Sequence, residues 1–199
     1  MGSWLLNTMN SLEFAEVATG GLALLLSLGS YALKSHKALT GTAAAAVLCW
    51  AAHFWTKGAL TSSLMALLAL SRILLSLWVV HQSPAQRRGW TALFVLLVLA
   101  GSLWTWAGWV SLPATLASLW LVVIGLNCKD APLRWGFLIA EALWLLNAVM
   151  VSSVFAGLTA TLALCVNATS LLRYHPASVR SAWRRVRRPW LRLALFSRR

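Results

Sequence analysis

Trp50 and His53 stand three residues apart inside one apolar stretch, and Trp144 and Asn147 repeat that spacing 94 positions later inside another. Arg72, Glu141 and Asn167 are set as deep in apolar surroundings. A carboxamide supplies two donors and an acceptor, which suits a hydroxyl-bearing solute. An indole gives a flat wall for a sugar face, and an imidazole exchanges its proton near physiological pH. In hydrocarbon each of these groups is costly unless it has a partner or a water-lined cavity. Asn147, Asn167, Trp144, His53 and Trp50 are therefore the candidate solute contacts. The plainer role for the asparagines and the histidine is interhelical hydrogen bonding, worth roughly 0.6–2 kcal/mol each in membranes. Arg72 and Glu141 are expected to form an intramembrane charge pair, unless Arg72 snorkels to the headgroups instead.

The elements that position these residues follow from composition. Of 199 residues, 60% are hydrophobic, and the mean hydropathy is +0.74. No soluble domain of this size has an interior that hides so much apolar side chain. Hydropathy divides the chain into about seven spans, at 14–33, 40–55, 60–80, 91–106, 112–126, 135–152 and 156–172. Each approaches the roughly 20 residues that a ~30 Å hydrocarbon core asks of a helix. The expected fold is an all-α polytopic membrane protein. Its organisation reads as an extracytoplasmic N-terminal segment (1–13), a three-helix unit (14–80), a linker helix (91–106), a second three-helix unit (112–172) and a basic cytoplasmic tail (173–199). The first thirteen residues hold no Lys or Arg and include an acid, unlike a cleavable leader.

Charge supports the same map. Lys34 and Lys37, Arg87 and Arg88, Lys129 and Arg134, and nine arginines from Arg173 onward fall in alternate connections, whereas the others hold only Lys57. Positive loops stay in the cytoplasm, so seven crossings put the N-terminus outside and the C-terminus inside a bacterial inner membrane. Trp55, Trp104, Trp106 and Trp109 then fall at the outer boundary, and Trp78, Trp90, Trp135 and Trp183 at the inner one, as interfacial belts do. In the tail, Arg180, Arg184, Arg185, Arg187, Arg188 and Arg192 alternate with Trp183, Trp190 and Leu191. That pattern suits an anionic leaflet, at roughly 1 kcal/mol per cation, better than it suits nucleic acid.

Chemistry of other kinds has little to work with. One Asp and three Glu leave few groups for acid–base catalysis, and no nucleotide loop or nucleophile elbow occurs. Cys49, Cys128 and Cys165 are far apart and suggest neither a metal nor a disulfide. No enzyme activity, cofactor or metal is expected. The expected partners are the bilayer, a small polar solute and, undecided by the sequence, a second copy of the chain.

The second block extends its spacing further. Arg134 follows Cys128-Lys129, Trp144 stands ten residues on, then Asn147, then Asn167 twenty beyond it and Arg173 six after that. In the first block Gly58 follows His53, and Arg72 stands nineteen positions from the histidine. From about Leu33 to Arg173 this order resembles the bacterial inner-membrane proteins of the YgjV type, which carry His or Asn at the position of Asn147. Ala69 departs from a pattern that has Asn there. The family is in turn remotely similar to the SWEET and PQ-loop group. That resemblance implies two parallel three-helix units and a cavity between them that passes a small polar solute, such as a sugar. The group's first-helix proline is represented only by Pro113. A SWEET-like facilitator is thus the leading expectation, and a non-transporting scaffold or stress-related accessory protein is the alternative. Because the apolar spans carry the insertion signal, truncation after His175 is expected to leave insertion intact. Membrane fractionation checks this, and a truncated chain that fails to insert would assign the tail a larger part.

Overall fold

A computed structural model describes residues 2–33, 36–79, 81–128 and 130–174, so the six tail arginines named above lie outside the described residues. Seven α-helices occupy these segments: α1 (Gly2–Ala32), α2 (His36–Thr56), α3 (Leu60–Val79), α4 (Pro84–Trp104), α5 (Ser111–Asn127), α6 (Asp130–Met150) and α7 (Val154–Tyr174). Among the described residues, five stretches are long and apolar enough to cross a membrane. They are α2, α3, α6, α7 and α5 taken with the 3-10 turn Gly108–Val110 that leads into it. Several expected boundaries shift, and α4 and α6 begin at Pro84 and Asp130, ahead of the expected 91 and 135. α1 reaches back to Gly2, so helix also covers residues 2–13. The short second span gains a polar first turn at its N-terminal end.

The connections are only a few residues long, so successive helices run antiparallel. Around the bundle the neighbours are α1–α2, α2–α3, α3–α5, α5–α6, α6–α7 and α7–α1, which closes a ring of six helices. α4 packs outside this ring against α3 and α5. Met65, Phe94, Val98, Ala114 and Val122 fill the contact between α3, α4 and α5. Large apolar side chains such as Leu25, Leu74, Leu96, Leu103 and Val149 point away from the ring, as lipid-facing positions do.

α2 and α6 end in the same way and in the same register. The Gly58 N–H bonds the Trp55 carbonyl and the Ala59 N–H the Phe54 carbonyl. Ser152 does likewise to Val149, and Ser153 to Ala148. These are the paired bonds of a Schellman cap, which needs a left-handed residue just beyond the helix. Gly58 (φ 71°) and Ser152 (φ 52°) supply it, five residues after His53 and Asn147 respectively. Glycine adopts this conformation freely, whereas a residue with a Cβ carries a strain of about 1 kcal/mol. Ser152→Gly is therefore expected to raise thermal stability in detergent and Gly58→Ala to lower it, each by about 1 kcal/mol. Shifts in the same direction would contradict the cap assignment.

Candidate functional site

The common end of α2, α3, α6 and α7 is held by side-chain hydrogen bonds between helices on different sides of the ring. His53 is fully buried. Its Nδ1 lies 3.1 Å from the Glu16 carbonyl of α1, which can only accept, so Nδ1 carries the hydrogen. Its Nε2 lies 2.7 Å from Ser153 Oγ, and that hydroxyl also caps α7 by accepting from the Ala156 N–H. One residue along from the His53 turn, Lys57 Nζ meets Glu16 Oε1 at 2.6 Å. Opposite, the fully buried Asn147 accepts at Oδ1 from Ser62 Oγ of α3 (2.9 Å), while its Nδ2 is buried without a partner. The two halves of the ring therefore exchange bonds: α2 reaches the start of α7, and α6 reaches the start of α3. Thr61–Ser111, Ser102–Thr115 and Ser63 to the Ala51 carbonyl add further ties at this end. Gly20 is what lets α1 approach, because a Cβ there would stand 2.7 Å from the Phe155 ring and 2.8 Å from the His53 ring.

Beneath these bonds lies an aromatic layer. Phe54 stacks on Trp144 (centroids 5.9 Å, 17° between planes) and packs beside Trp50, whose edge meets His53. Trp50 is oriented by a bond from its Nε1 to Ser27 Oγ of α1 (3.1 Å). Under this layer the ring holds a partly open cavity of about 240 Å³, to which Trp50, Phe54, Trp144, Arg72, Glu141 and Thr159 contribute. Small residues on the facing helices α3 and α7, Ala66, Ala69, Ala160 and Ala163, leave the room for it.

The expected site residues therefore divide. Trp50 and Trp144 line the cavity. His53 and Asn147 sit in the hydrogen-bonded cap above it. Asn167 turns its Nδ2 back to the Ala163 carbonyl one turn earlier on its own helix (3.0 Å). Arg72 and Glu141 both line the cavity but make no ion pair or hydrogen bond with each other or with other described residues, which corrects the expected contact pair. The physical reason is the ring: α3 and α6 are not neighbours in it, so the two charges face a shared space. The Arg72 guanidinium lies across α5, where a Cβ on Gly125 would be 2.5 Å from Nη1. Ser62, Ser153, Glu16, Gly20 and Gly125 escaped the sequence reading. A serine or glycine in a small-residue helix carries no signal of its own, although the matched spacing around His53 and Asn147 pointed to the neighbourhood.

Magnitudes decide how the cap responds to change. Ser62→Ala strips Asn147 of its remaining partner, and a buried unsatisfied polar group costs about 1–3 kcal/mol. Replacing both partners by apolar groups of similar shape is close to neutral. Ser62→Ala is therefore expected to destabilise by about 1–3 kcal/mol, and the further change Asn147→Leu to recover most of that loss. Thermal unfolding of the two proteins in one detergent reads this out. Additive losses would mean that the bond is not there.

A family profile described as Imp-YgjV, bacterial inner membrane protein, matches residues 15–178, a stretch that contains the cap, the cavity and all of the ring but the first part of α1. Comparison with curated proteins and with solved structures gives no match. On the extent of that match, the chain belongs to the Imp-YgjV family of bacterial inner membrane proteins.

Proposed function

We propose that this membrane protein is a facilitator or transporter of a small polar solute, which it binds in the central cavity. The observation that carries the reading is a cavity of about 240 Å³ lined by indoles, a guanidinium and a carboxylate within helices that otherwise present apolar faces. Polar groups of this kind inside a membrane bundle are costly and mark solute or ion pathways. At ~30 Å³ per water, the space corresponds to about eight waters, which is room for one small metabolite.

The finer architecture belongs to the same proposal. α2 and α6 begin and end 94 residues apart, as do the starts of α3 and α7. The caps at Gly58 and Ser152 keep that offset, and so do the cavity pairs Trp50 and Trp144, Ala66 and Ala160, and Ala69 and Ala163. Two parallel three-helix units with α4 as connector account for all of these, and motion of one unit against the other about a midplane site is how such repeats give alternating access. This is the SWEET-like mechanism that the resemblance implies. With positive connections inside, the N-terminus faces out and the hydrogen-bonded cap closes the outer end. No catalytic role is assigned to any residue.

A second reading, a non-transporting scaffold, draws support from His53, Asn147 and Asn167, whose bonds within the protein resemble polar glue. Flux separates the two. In counterflow across proteoliposomes with a panel of small polar metabolites, the wild-type protein is expected to exchange at least one of them. Ala69→Trp, which fills the cavity, is expected to abolish that exchange. Flux that survives the filled cavity removes the cavity as the solute site, and no flux for any compound favours the scaffold.

A further inference from the structure

We propose that the solute is a small zwitterion, a molecule of the free amino acid class that carries a carboxylate and an ammonium group. The inference rests on the cavity being the solute site, and it narrows what that site recognises. Arg72 and Glu141 face one space from helices that are not neighbours, and neither has an ionic or hydrogen-bonding partner among the described residues. A charge within a membrane bundle that lacks a protein partner finds it in the ligand or in water. Two opposite charges that do not neutralise each other select a ligand bearing both complements.

The chemistry at each end is specific. A guanidinium binds a carboxylate through two parallel hydrogen bonds, a geometry that a neutral hydroxyl does not match. Arg72 is held for this role by passing over Gly125, where the absence of a side chain leaves α5 open to it. The Glu141 carboxylate accepts from an ammonium group. The rest of the wall is mainly apolar, with Trp50, Phe54, Trp144, Leu121 and Phe137 beside several alanines, and Ser27 and Thr159 add hydroxyls; this suits a short side chain near the two charged groups. A sugar would meet the indoles but leave both charges without a counter-charge, and a site built around such groups discriminates strongly against a ligand that leaves them unpaired.

The test uses the full-length protein in detergent and in proteoliposomes, with L-alanine, glycine and L-glutamine as zwitterions. Propionate and ethylamine serve as singly charged analogues, and glucose and glycerol as neutral ones. The expected result is that at least one zwitterion raises the unfolding temperature and exchanges in counterflow at concentrations about tenfold or more below those needed for any analogue. Arg72→Gln and Glu141→Gln should each erase that preference. The comparison among ligands on the wild-type protein stands even if either variant fails to fold. A zwitterion that stabilises the protein but does not cross supports the ligand class and sinks transport. Glucose or glycerol crossing better than every zwitterion overturns the zwitterion while transport stands. No effect of any zwitterion overturns the inference.

Discussion

Buried polar groups must be paired when the surroundings are hydrocarbon, and at one end of this bundle that requirement is met across the ring. His53 on α2 has no exposed surface and reaches Ser153 at the start of α7; Asn147 on α6, equally buried, takes the hydroxyl of Ser62 at the start of α3. The bonds therefore fix which helices meet, and with the Gly20 approach of α1 they close the ring at that end. Lower down, alanines replace hydroxyls on α3 and α7, and the helices no longer fill the space between them. The cap and the cavity have one cause, a change from interlocking polar side chains to small apolar ones along the same helices.

The aromatic layer sits at this change. Phe54 and Trp144 stack across the interior from α2 and α6, and Trp50 is pinned to α1 through Ser27. Offset ring contacts contribute about 0.5–1.5 kcal/mol beyond area burial, which is comparable to one of the hydrogen bonds above them. The layer can therefore separate from the cap at moderate cost, as a gate must, whereas the contacts among α3, α4 and α5 are a continuous apolar core.

Much of this was legible in the residues. The apolar runs located the helices because nothing but a helix satisfies its own backbone in lipid. The matched spacing of Trp50 to His53 and of Trp144 to Asn147 marked two helix ends that share a cap geometry. Less legible was which polar group faces the interior. Asn147 and Asn167 looked like solute contacts because a carboxamide in hydrocarbon demands a partner, yet helix rotation decides whether that partner is a solute, a serine or the helix's own carbonyl. Rotation by one residue, about 100°, is within the error of reading a span from hydropathy. The same limit hid the separation of Arg72 from Glu141: their depths agree, but only the ring order reveals that α3 and α6 are not adjacent helices. The glycines at 20 and 125 were silent because their role is the room that they leave for a residue far away in the chain.

The central claim is that the space lined by Trp144, Arg72 and Glu141 is a hydrated cavity within the membrane. Cysteine accessibility addresses it directly. In a protein whose Cys49, Cys128 and Cys165 have been replaced by alanine, Ala69→Cys and Ala160→Cys are expected to react with a membrane-impermeant thiosulfonate reagent, because both positions line the cavity. Leu96→Cys and Leu25→Cys, whose native side chains point outward, are expected to stay unreactive under lipid. Cysteines at 69 and 160 that prove as inert as those at 25 and 96 would contradict the account.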